Sequence, residues 1–326
     1  MTFWLHRLGS ILVVLAALFG ISYWMLRPRP NLPEHALEAV PADAAIVAEV
    51  EIDKILSSQS WSEILLAYLD HPILREAHSE CKIDPLRQFT KATIFARPAK
   101  NRPIESAGFF AKGDLDLQRL GDCAEKIARK SSVALNKKEL DGLPSLSIAG
   151  RNLYLASIGS QTIVGGSEHT IREILSVAQS SAQSLASNTS LDQQWNRMDQ
   201  GAAVTVAIRL GSEWRHKIHQ YFESDRYRQV QRLLSNLDFA LVSLRLEKEM
   251  IVGMILSMQT PDMAGSAQAW LETEKQVLLD KPLVSLSSMG GILRKIRLHT
   301  ERKQAIVNVQ LERAEVDALL RLFFNH

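Results

Sequence analysis

Cysteine is nearly absent: Cys81 and Cys123 are the only two in 326 residues, too few for a disulfide framework and without metal-type spacing. Glycine and proline are also sparse, at 16 and 11, and aromatics make up 6%, so a collagen-like or low-complexity disordered chain is excluded. Charge of one sign is missing too. There are 38 basic and 36 acidic residues, and Arg7, Arg27 and Arg29 flank one apolar run before the first acid, Glu34. The rest of the chain is therefore electrically neutral, which excludes a dedicated nucleic-acid binder carrying a basic domain or stripe. What is plentiful is apolar side chain, 46% of the residues. A chain of this length and composition buries a large core and predicts two domains.

Leu8 to Leu26 holds 19 consecutive residues without a charge, enough helix to match a bilayer core of roughly 30 Å. Trp4 stands near one end, and Tyr23 and Trp24 at the other, where amphipathic rings settle at headgroup level. No small-residue cleavage site follows, since Met25 and Leu26 run directly into Arg27-Pro28-Arg29-Pro30. The reading is an uncleaved single-pass anchor over residues 1–26 in the inner (cytoplasmic) membrane, with the body extracytoplasmic. Flanking charges nearly cancel, so the orientation rests on the short amino-terminal tail before a long downstream body. Four prolines, Pro28, Pro30, Pro33 and Pro41, predict a semi-rigid, extended arm over residues 27–40.

Beyond the arm the chain reads as one unit used twice, at 41–180 and 191–326, with the small polar stretch 181–190 as linker. Ala44–Val50 recurs as Ala202–Ile208, Lys91–Arg97 as Phe239–Arg245, and Gln161–Val164 as Gln304–Val307. Each half reads strand, helix, strand, strand, helix, further strands and a closing helix, the last being His169–Ala178 and Arg313–Phe323. The expected class is α+β, mostly antiparallel sheet with helices on one face, in a ferredoxin-like element order.

Val40-Pro41-Ala42-Asp43, the turn Cys81-Lys82-Ile83-Asp84-Pro85-Leu86 and the passage Phe109–Leu120, with Gly165-Gly166-Ser167 before a helix, resemble a loose family of uncharacterised bacterial envelope proteins that are membrane- or lipid-anchored. Lys82 stands where many of those relatives have glycine. The resemblance implies an extracytoplasmic repeated α+β body and supplies no catalytic residues.

Motifs for chemistry do not converge. Ser79-x-x-Lys82 has acyl-transfer spacing, but no Lys-Thr-Gly accompanies it. Glu213, His216 and His219 fan around a predicted helix instead of meeting, and no His-Glu-x-x-His occurs. Gly165-Gly166 and Gly290-Gly291 fit no complete phosphate-loop pattern and read as strand-end turns, and Asp114 and Asp116 read as a helix start. Neither a cofactor nor a metal is expected. The candidate binding face is basic: Lys295, Arg297, His299, Arg302 and Lys303 on a predicted hairpin, suited to an anionic lipid, glycan or acidic partner, with a solvated sheet face as the plainer alternative. Trp195, Trp214, Tyr221 and Tyr227 suit either an interaction patch or the core. Cys81 and Cys123 either bridge the first half or remain two buried thiols.

The expected function is a membrane-anchored extracytoplasmic scaffold or accessory subunit with a protein partner in the envelope and no catalytic activity. Two alternatives belong to other classes: a membrane-tethered envelope hydrolase or transferase, and a lipid or small-molecule binding module with its pocket between the halves.

Overall fold

The computed structural model describes residues 32–59, 61–63, 72–82, 84–97, 106–114, 117–211 and 228–324. The apolar run 8–26 and the segment bearing Glu213, Trp214, His216, His219, Tyr221 and Tyr227 lie outside the described residues. Among the described residues no helix is long and apolar enough to cross a membrane.

The protein is α+β, and its described residues build one antiparallel sheet of twelve strands in the order β11-β12-β10-β9-β8-β1-β2-β3-β7-β6-β5-β4. The first half supplies β1 (Ile46–Glu51), β2 (Phe89–Arg97), β3 (Ser106–Gly113), β4 (Leu135–Leu140), β5 (Leu143–Ile148), β6 (Tyr154–Ile158) and β7 (Thr162–Gly166). The second supplies β8 (Val204–Arg209), β9 (Leu237–Leu246), β10 (Met250–Met258), β11 (Arg297–Glu301) and β12 (Gln304–Leu311). The halves join through β1 and β8, which pair antiparallel from Ile46–Ile208 to Val50–Val204. The end of the sheet where β1 finishes and β2 begins is its lower end.

Successive strand residues point to opposite faces, and both faces are apolar. Phe110 enters one core with Val47, Phe95, Leu241 and Ile255, whereas Phe109 enters another with Ala111, Leu155 and Ile163. A sheet apolar on both sides needs a layer on each. The first face is covered by α1 (Ala36–Ala39), α6 (Glu168–Ala178) and α7 (Thr189–Asp199), through Leu37, Ile171, Ile174, Leu191 and Trp195. On the second face lie α2 (Ile52–Ser57), α3 (Pro72–Cys81), α4 (Pro85–Gln88) and α5 (Leu117–Lys130) in the first half. There the second half packs α8 (Arg228–Ser235), α9 (Pro261–Leu279), α10 (Pro282–Ser285), α11 (Ser288–Lys295) and α12 (Arg313–Phe324). The expectation of helices on one face is thus corrected to both.

Three further expectations are corrected. The ferredoxin-like arrangement needs a strand between two parallel ones, but β1 pairs directly and antiparallel with β2, because their connection leaves and re-enters at the lower end. Residues 32–40 are not a spacer: Ala36–Ala39 is helical, and Leu32, Leu37, Ala39 and Val40 are buried in the first-face core. Nor is 181–190 free, since the Ala42 amide donates to Gln183 O at 3.1 Å and the Leu185 amide to Val40 O at 2.8 Å, with Leu185 buried. Leu185 is the one large apolar residue of that stretch, and its burial holds the connection against the body.

Candidate binding groove

Register makes the two halves comparable position by position. On the first face, one row of the first half runs Val47, Phe95, Gly108, Gly166, and the matching row of the second runs Thr205, Ser243, Gly253, Asn308. This alignment coincides with the sequence match of Lys91–Arg97 to Phe239–Arg245. It moves the last match by one residue, setting Thr162, not Gln161, against Gln304, and a one-residue slip in a strand exchanges the faces.

In the first half the row is packed shut. A Cβ on Gly108 would lie 2.5 Å from Thr170 Cγ2 of α6 and 2.6 Å from the Phe95 ring, so only glycine fits beneath them. In the second half the same position is polar and less tightly covered: a Cβ on Gly253 would lie 3.2 Å from Ser243 Oγ, 3.4 Å from Asn308 Oδ1 and 3.5 Å from Met198 Cε of α7. The difference follows from where each strand ends. Ser167 follows Gly166 directly and caps α6, its hydroxyl accepting from the Thr170 amide. Beyond Asn308, by contrast, β12 continues to Leu311, three residues further. An odd extension reverses the side on which the chain leaves a strand, and α12 accordingly packs on the second face through Val316. The two closing helices matched in sequence therefore lie on opposite faces.

Among the described residues this position is left open as a groove. A cavity of about 230 Å³ lies between α7 and β11, with Met198, Ser243, Gly253, His299 and Asn308 among its walls. A second, of about 440 Å³, shares Ile251 and Asn308 with the first and extends toward Arg297, Lys295 and Glu249. Arg245 opposes Ile251, and Arg297 opposes Asn308, so two guanidinium groups flank a floor of Ser243, Gly253 and Asn308. At the mouth Arg197 and Glu301 form an ion pair at 3.8 Å.

The basic residues picked from sequence divide three ways. Arg297 and His299 are exposed on β11 and face the groove. Lys295 is the last residue of α11, not part of the hairpin, and its ammonium lies 2.8 Å from Glu315 Oε1 and 3.1 Å from Glu312 Oε1. Hydrogen bonds to Glu315 and Glu312 hold that lysine above its usual range, so its charge is already answered. Arg302 and Lys303 form the turn between β11 and β12 at the upper end, beyond the strand residues that line the groove. Sequence reasoning missed Ser243, Arg245, Gly253 and Asn308, which ordinary strand positions conceal until pairing is known. Gly290 and Gly291, read as a strand-end turn, lie inside α11; a Cβ on Gly290 would come 2.5 Å from Val284 O, so this glycine permits the close packing of α10 on α11. Trp195 is fully buried in the core.

Cys81 of α3 and Cys123 of α5 are joined by a disulfide, with Cα atoms 5.5 Å apart. Among the described residues no cluster of His, Cys, Asp and Glu is placed to hold a metal ion.

No family model matches the chain, and no curated protein does. Among solved structures it is similar to TP0453 in crystal form III, with a TM-score of 0.53 at 12% identity over 88% of this chain and 98% of that one. Crystal form I of TP0453 gives 0.48 at 10% identity, over 88% and 97%. At such identity the likeness shows the fold alone.

Proposed function

We propose that the protein is a single-pass, membrane-anchored extracytoplasmic binding protein without catalytic activity, serving as a scaffold or accessory subunit for an envelope partner. The observation that carries this reading is the groove over Gly253, at the position that Phe95 and Thr170 close in the other half. Its polar floor and the flanking Arg245, Arg297 and His299 suit an acidic segment of a partner protein, because guanidinium groups pair with carboxylates in fixed, two-pronged geometry. The Cys81–Cys123 bridge supports an oxidising compartment, and the apolar run 8–26 supports the anchor. The shared register, with glycine at both Gly108 and Gly253, supports descent of the halves from one duplicated unit.

Capture of the full-length protein from detergent-solubilised membranes, beside Ser243→Phe and Arg245→Glu/Arg297→Glu variants, tests the reading. Ser243→Phe places in the groove the side chain that the first half has at Phe95, and the charge variant alters only the groove's rim. A stoichiometric partner held by the native protein and lost from both variants is expected. Equal retention by either variant with native unfolding behaviour, or no partner with any form, overturns it.

A further inference from the structure

Large apolar side chains are seldom left in water on a rigid support, and Leu283 and Leu286 are 90% and 89% exposed. Their support is well built. The amides of Val284 and Ser285 donate to Lys281 O, and that of Leu286 donates to Pro282 O at 3.1 Å. The Arg294 guanidinium of α11 donates to both the carbonyl and the hydroxyl of Ser285 at 2.9 Å. Gly290 brings α11 against the Val284 carbonyl. The two leucines are thus displayed on a braced turn, beside the partly exposed Val277 and Leu278 at the end of α9.

The place of this tip in the fold suggests what covers it. Helix α9 starts just after β10 ends and packs along β10, β11 and β12, with Gln268 donating to Leu298 O at 3.3 Å. Its 19 residues span about 28 Å, close to the roughly 30 Å of the nine-residue β10, so α9 returns to the lower end and α10 lies there. The described chain also enters at the lower end: Lys112, opposite Lys91 near the end of β3, donates to Pro33 O at 2.7 Å and lies 3.4 Å from Leu32 O. From Leu26, the end of the apolar run, to Leu32 there are only six peptide steps, at most about 20 Å of chain.

We infer that the lower end faces the bilayer and that the α10 tip docks on its surface, with Leu283 and Leu286 entering the headgroup–acyl boundary. Lys281 and Arg294, on either side of the leucines in sequence, place cations where lipid phosphates lie. The inference rests on the anchor reading above. Docking of this kind would fix the body's tilt and set which way the groove opens.

The test uses the full chain reconstituted in vesicles of phosphatidylethanolamine with phosphatidylglycerol. An environment-sensitive fluorophore is placed at Ser288→Cys, beside the tip, or at Lys303→Cys, at the opposite end of the sheet. Cys81 and Cys123 are bridged and do not compete for label. The label at 288 is expected to shift to shorter wavelength on reconstitution and to be quenched by nitroxides on the lipid chains. The label at 303 should do neither, and Leu283→Asp/Leu286→Asp should abolish the response at 288. If the chain floats with vesicles but both labels behave alike, docking fails while the anchor stands; if the chain does not float, the anchor reading falls and docking with it.

Discussion

Ala48 of β1 and Val206 of β8 face each other at the centre of the sheet, and they are also each other's counterparts, Val206 following Ala48 by 158 residues. Ile46 opposite Ile208 is mirrored by Val50 opposite Val204, so the pairing has the self-complementary form of an isologous dimer contact inside one chain. The sheet therefore has no internal edge between its halves. Burial crosses the same line: Trp61, from the first half, is fully buried among Met250, Ile292, Leu311 and Val316 of the second.

Unfolding should accordingly be one transition. The Trp61 indole N–H donates to Glu247 O at 2.8 Å, and Trp61→Ala should remove about 3–5 kcal/mol, the usual cost of truncating a buried aromatic. Denaturant titrations followed by far-ultraviolet circular dichroism and by tryptophan fluorescence should coincide before and after the substitution. Two separated transitions in the native protein would show that the halves fold as independent domains.

The two matched glycines should answer differently to one methyl group. At Gly108 the added carbon would meet the Phe95 ring and Thr170 well inside contact distance, whereas at Gly253 it meets the ends of side chains at 3.2 Å or more. Gly108→Ala should cost about 1–3 kcal/mol from overpacking, and Gly253→Ala clearly less. Equal losses in denaturation midpoint would mean that the groove floor is as tightly packed as its counterpart.

What sequence reveals here is local, and what it hides depends on pairing. Alternating runs such as Ile46–Glu51 and Phe239–Arg245 announce strands, and Ser167 and Thr260, whose hydroxyls accept from the Thr170 and Met263 amides, are residues of the type that caps a helix start. Neither the strand order nor the face on which a helix lands is written in that periodicity, because both depend on where each strand stops. The three residues by which β12 outruns β7 move a helix across the sheet and open the groove, yet Asn308 to Leu311 reads as unremarkable strand. Lys295 misled for a related reason: its neighbours Arg297 and His299 alternate as strand residues do, but Gly290 and Gly291 sit within a helix that ends on it.

Reduction should loosen the first half. The disulfide joins residues 42 apart in sequence, and loop-closure entropy assigns such a bridge about 2–4 kcal/mol. Dithiothreitol or Cys123→Ala should lower the denaturation midpoint by a corresponding amount, and an unchanged midpoint would show that the packing of α3 on α5 suffices without the bond.

Glu49 is a carboxylate buried on the first face, with Lys91 Nζ at 2.9 Å and Thr93 Oγ1 at 3.4 Å; the same ammonium lies 2.9 Å from Glu51. Burial opposes the charge on Lys91, but Glu49 and Glu51 outweigh it and hold the ammonium above the usual lysine range. A lysine whose folded value is raised binds its proton more tightly in the native state, so its stabilisation is complete below the unfolded pKa and is lost as pH rises through the folded one. Lys91→Met should therefore be most damaging near neutrality, by about 3–5 kcal/mol, since it removes the ammonium that lies 2.9 Å from the buried Glu49 carboxylate. Glu49→Gln/Lys91→Met should recover part of that loss. The gap between native protein and Lys91→Met should narrow as pH climbs above the usual lysine range, and denaturation midpoints across that interval measure it. A gap that stays constant with pH would assign the loss to the packing of the lysine stem instead of its charge.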